Sequence, residues 1–153
     1  MKKPCLFLLL SFLALPLIGL IAADPVKSAP GFRFPGGDAE AGRQSFIGLN
    51  CVQCHSVNKV ELPDPGGNRR LELTLANEIR FVKNYQDLIT AITNPKHVVT
   101  EQYRAILTKA EVQGSIEPLM PDLTNDMSAR QLMDLVAFLD EVYRESLPDY
   151  GTK

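Results

Sequence analysis

Cys51-Val52-Gln53-Cys54-His55 is the stretch of this chain best equipped for chemistry. Two thiols three positions apart, followed at once by an imidazole, have the spacing of a c-type haem attachment site. Each sulfur can form a thioether to one porphyrin vinyl group. The adjoining imidazole is then close enough to bind the iron from one side. Two other readings use the same cysteines. A thioredoxin-like redox pair should follow a strand in a βαβ pattern, and no such pattern is visible. Half of a zinc site would need a second pair of ligands, whereas the remaining Cys and His are Cys5 and His97. The haem reading alone makes use of a His in the fifth place.

A haem iron held by His55 leaves its sixth position to be filled. Pro118-Leu119-Met120-Pro121 sets a thioether between two prolines, on a loop with little freedom to move. That is a good way to hold a weak, soft ligand, and His/Met ligation raises the reduction potential. Met127, just before a helix start, and His97, in a loop after Asn94-Pro95, compete with Met120 for this role. Met133 falls inside a helical pattern.

The elements that must position these groups are legible in part. Asp38 is a good N-cap after Gly36-Gly37. Ala39, Gly42, Phe46 and Leu49 then share one helical face, and this helix delivers the chain into Cys51. Gly42 in mid-helix costs about 1 kcal/mol relative to Ala, which close approach by another helix would explain. A middle helix is expected from Asn84 or Tyr85 to Thr93, with Leu88, Ile89 and Ile92 inward and Asn94-Pro95 as its stop. Glu101 to Lys109 is mildly helical. Ser128 with Gln131 makes a capping box for the last helix. Leu132, Leu135, Val136, Leu139 and Tyr143 form its apolar stripe, and Asp134, Asp140, Glu141 and Glu145 give the opposite side an acidic character. Lys59 to Asn84 reads as a long irregular stretch. A carbonyl at Pro63 or Pro65 is a candidate acceptor for the far ring nitrogen of His55, and Arg69 and Arg70 read as surface arginines, one of them a candidate partner for a haem propionate.

The start of the chain describes its destination. Lys2 and Lys3 precede an apolar run, and Ile21-Ala22-Ala23 offers a small-residue cleavage site, the pattern of a secretory signal peptide over 1–23. Residues 5–23 are also just long enough to act as an uncleaved membrane anchor. Export suits the haem site, since c-type haem is attached outside the cytoplasm. Residues 24–36, with Pro25, Pro30 and Pro35, read as an extended arm. The remaining residues suffice for one modest core. Net charge is −2 over the whole chain and −4 without the leader, whose charges are Lys2 and Lys3. That argues against nucleic acid as a partner.

Taken together these residues resemble a monohaem class I cytochrome c. Gly37-Asp38, Gly42 and Phe46 match the family's first helix, and Cys51, Cys54 and His55 match its haem site. Met120-Pro121 matches its sixth-ligand loop, and Leu135-Val136-Ala137-Phe138-Leu139 its final helix. The resemblance implies an all-α fold over residues 37–147, with first and last helices crossing, haem held between helices and loops, and a tail at 148–153. It implies covalent haem c on Cys51 and Cys54, with His55 and Met120 as axial iron ligands. The expected role is an exported, periplasmic electron carrier that docks transiently with redox partner proteins, not an enzyme. A subunit of a larger membrane-bound oxidoreductase and a haem-based ligand sensor are the alternatives. The departure from the family is the segment from Lys59 to Asn84.

Overall fold

The computed structural model describes residues 33–152. The expected leader at 1–23, with its alternative anchor, and most of the 24–36 arm lie outside these residues.

Helix α1, Ala39–Gly48, begins where Asp38 Oδ1 accepts the Ala41 N–H at 2.9 Å. Helix α5, Ala129–Ser146, begins at the expected capping box of Ser128 and Gln131. The two helices pack against each other, and two glycines permit it. A Cβ on Gly42 would fall 2.0 Å from the Asp134 carbonyl oxygen and 2.8 Å from Phe138 Cβ. One on Gly37 would meet the Met133 carbonyl at 2.3 Å. Phe46 then meets Phe138 edge-on, with ring centroids 5.9 Å apart, an arrangement aromatic pairs prefer. Phe46, Leu135, Val136 and Leu139 are buried at the centre of the core.

The acidic side expected on α5 is half wrong. Glu141 and Glu145 face solvent, but Asp134 and Asp140 are buried. Each carboxylate is used as a hydrogen-bond acceptor, which is what makes its burial tolerable. Asp134 Oδ1 accepts the Asp38 N–H at 2.8 Å. Asp140 accepts from the Tyr150 hydroxyl and from Arg144 Nε, both at 2.8 Å. Burial, with the Asp140 bond adding to it, pushes the Tyr150 phenol far above its ordinary range. Tyr150 belongs to the main core, so the chain after Pro148 is stitched in. At the other end the Arg33 guanidinium lies 4.5 Å from the Tyr85 ring centroid, and the Phe34 N–H donates to the Tyr85 hydroxyl at 3.1 Å.

The all-α expectation does not hold: the fold is mixed. Strand β1, His55–Val57, and strand β2, Leu73–Leu75, pair in parallel, His55 opposite Leu73 and Val57 opposite Leu75. The Leu73 N–H donates to the Cys54 carbonyl at 2.8 Å and the Asn58 N–H to the Leu75 carbonyl at 3.0 Å. The Ser56 and Thr74 hydroxyls meet at 3.0 Å. Parallel strands need a crossover of a dozen or more residues, and the segment from 58 to 72 supplies it. It turns through Gly66 and Gly67, both at positive φ. Arg69 braces it by pairing with Asp64 at 2.8 Å and Glu72 at 2.9 Å. The stretch read as irregular therefore returns to pair with the strand that begins on His55 of the C-x-x-C-H run.

Helix α2, Tyr85–Thr93, has Asn84 as N-cap and buries Tyr85, Leu88 and Ile92. The single mild helix expected from Glu101 is two short ones, α3, Glu101–Ala105, and α4, Lys109–Val112. Thr108 caps the second through a capping box with Glu111, so the helix restarts rather than continues. Among the described residues, no helix is long and apolar enough to cross a membrane.

Candidate haem site

The motif sits at the junction between α1 and the small sheet. Leu49 closes α1, and Asn50 takes a left-handed conformation, φ 59°; Asn tolerates this better than most residues. One 3-10 turn, Cys51–Gln53, then carries the chain to Cys54, and β1 begins on His55. Both cysteines are free thiols, each half-buried. The Cys51 thiol is pushed up to about 11, chiefly by burial. A redox or metal-binding thiolate is instead favoured by a lowered pKa. Neither rival reading gains from the surroundings: β1 follows the C-x-x-C pair rather than preceding it. Among the described residues no three His, Cys, Asp or Glu side chains gather as a metal site.

Cys54, His55 and Met120 line one cavity of about 210 Å³. Met120 is 65 positions from His55, so only the tertiary fold brings it to the other two. Cys51 is not in that wall; it packs behind, against the main core. Met127 also packs against the core and is absent from the cavity. His97 does line it. Of the two rivals to Met120, then, the fold brings in the imidazole and leaves out the thioether.

His55 is where the site is most demanding. Its Nδ1 is buried with no hydrogen-bond partner, so neither Pro63 nor Pro65 accepts from it. Burial pushes the His55 pKa down, and the neighbouring backbone of Leu73 offsets part of the effect. A neutral imidazole is the form that binds a metal. The polar group nearest to relieving this ring is thus on the paired strand, not in the proline loop.

The rest of the wall was not anticipated. Leu71, Leu73 and Leu75 from the β2 stretch, Phe81, Val82 and the buried Tyr103 give it an apolar character. The alternation Leu71-x-Leu73-x-Leu75 was the available signal, a period of two that marks a half-buried strand. Phe81, Val82 and Tyr103 carried no comparable mark. Arg70 is engaged elsewhere: its Nη2 donates to both Glu111 carboxylate oxygens at 2.8 Å.

The residues present fit a haem by the chemistry of the donor set. Two thiols, an imidazole and a thioether are the groups such a cofactor uses; aliphatic and aromatic side chains line the cavity with Cys54, His55 and Met120, and Cys51 lies three residues before Cys54, against the core. At about 210 Å³ the cavity is smaller than the roughly 300–1,000 Å³ of enclosing ligand pockets. No family model, no curated protein and no solved structure matches this chain.

Proposed function

We propose that this chain is an exported monohaem c-type cytochrome that carries single electrons between periplasmic or membrane-bound redox partners. Cys51 and Cys54 would hold haem c by two thioethers, and His55 and Met120 would ligate its iron. When bound, the group supplies a one-electron Fe(III)/Fe(II) couple. The observation that supports the reading is the shared cavity: Cys54 and His55 line it together with Met120, which is remote from them in sequence.

The chain's own residues have separable tasks. His55 offers a ring that burial keeps neutral. Met120 sits between Pro118 and Pro121 with a restrained backbone, and a thioether ligand favours the reduced state. Leu71, Leu73, Leu75 and Phe81 keep water from the buried side, which limits reorganisation when charge changes. Held by both His55 and Met120, the iron would offer no coordination site to a substrate, which fits transfer rather than catalysis. Partners would meet the site at its open rim through a small, transient interface.

The test is the far-red absorption spectrum of the oxidised, haem-loaded full chain beside a Met120→Ala variant. A weak sulfur-to-iron charge-transfer band in the wild type, absent from the variant, is expected. A wild type with covalent haem but no such band removes Met120 from the iron. A chain that takes up no covalent haem when expressed with haem-attachment machinery overturns the reading altogether.

A further inference from the structure

The chain has two histidines, His55 and His97, and both line the same cavity. A histidine that binds a metal through one ring nitrogen almost always donates its other N–H to a carbonyl, carboxylate or water. His97 already has that arrangement and His55 does not. His97 Nδ1 lies 2.9 Å from the Asn94 carbonyl oxygen. A carbonyl can only accept, so Nδ1 carries a proton toward it, and Nε2 is the ring nitrogen left to offer a lone pair to a metal. The acceptor is itself held: Asn94 closes α2, its N–H donating to the Thr90 carbonyl at 2.8 Å, and its oxygen also takes the His97 backbone N–H at 3.1 Å. Met120 shares the cavity, and Pro95 and Pro118 stand in the same wall. His97 is otherwise exposed, so packing does not lock its ring away from a new partner.

We propose that His97 is a reserve iron ligand: when the Met120 thioether leaves the sixth position, His97 Nε2 takes it, giving the chain a second ligand set made of two nitrogens. This rests on the haem reading above. No bond in the polypeptide is made or broken in the exchange; one lone-pair donor replaces another. The all-nitrogen set lacks the thioether that raises the potential, so the exchange would move the protein to a lower potential without opening the iron to outside ligands.

Haem-loaded full-length protein carrying Met120→Ala, Met120→Leu, and each of these combined with His97→Ala tests it. Met120→Leu is included because it conserves volume. The readouts are the ferric spin state by electron paramagnetic resonance and carbon monoxide binding to the ferrous form. Both single variants should lose the sulfur-to-iron band yet stay low-spin and resist carbon monoxide. The double variants should turn high-spin and bind it readily. Single variants that are already high-spin and bind carbon monoxide as fast as the doubles overturn the reserve role while leaving Met120 as ligand. A low-spin wild type without the sulfur band, turned high-spin by His97→Ala alone, also overturns it, because His97 would then be the resident ligand and the Met120 assignment would fail with it.

Discussion

The two chain segments that bring His55 and Met120 to their shared cavity are built differently. The segment carrying Cys54 and His55, with Cys51 packed against the main core, continues directly from α1, which is clamped to α5 so closely that Gly42 has no room for a methyl group. Val52 and Val57, inside and beside the motif, belong to the main core. The segment from 95 to 122, which carries both His97 and Met120, contributes no residue to that core among those described. Tyr103 is its one buried side chain there, and it ties the segment to itself: its hydroxyl donates to the Glu117 carbonyl, three residues before Met120. The tie to the rest of the chain is polar, from Arg70 to Glu111 and, at 3.4 Å, to the Ile106 carbonyl. On the haem reading proposed above, one packed wall and one wall held by hydrogen bonds would keep one ligand fixed and let the other exchange. Local opening follows the least packed region.

Breaking the packed side should have the largest effect. Phe46→Ala removes a side chain that is 2% exposed, and aromatic-to-alanine changes in cores cost about 3–5 kcal/mol. The whole chain should unfold at a lower denaturant concentration, both walls together. Tyr103→Phe should do less and do it locally. Losing one hydrogen bond costs about 0.5–1.5 kcal/mol, and amide exchange should quicken across 95–122 while α1 and α5 keep their protection. If Tyr103→Phe lowers global stability as much as Phe46→Ala does, the two walls are one unit and the contrast fails.

The smallest effect is expected from acid. Glu111 is held down at about 2, against an ordinary 4.5, first by the Thr108 N–H, then by the Thr108 hydroxyl and Arg70. Its folded pKa lies below the unfolded one, so its contribution is complete above about pH 4.5 and fades as the pH falls toward 2. Nuclear magnetic resonance should then show α4 signals moving in that window before those of α5. Glu111→Gln should remove the step, and a step that persists in the variant would assign it to another carboxylate.

Much of the packed side was readable from residues alone. Asp38 and Ser128 cap the helices they were expected to cap, and Gly42 announced the helix that approaches it. These signals are local: a cap needs three residues and a stripe needs two turns. The errors arose where a charge or a loop was judged without its partners. Asp134 and Asp140 read as surface acids because their acceptor roles are filled by Asp38, ninety-six positions away, and by Tyr150 beyond the helix end. The sheet was missed because each of its strands has three residues, too short for a period of two to stand out except in Leu71-x-Leu73-x-Leu75.

The donor set, two thiols and an imidazole in five residues, was determined by the sequence by itself, because their spacing is a property of the chain alone, and that spacing is what the proposed haem attachment rests on. So were the first, middle and last helices, whose caps and periodicity are short-range properties. Which second donor reaches the site was decided by tertiary structure alone. Met120, Met127 and His97 are alike in being candidate ligands by type, and only the fold sends Met127 to the core while bringing Met120 and His97 to the cavity that His55 also lines. The same holds for β2, since a parallel strand exists only when a distant segment returns to supply its hydrogen bonds.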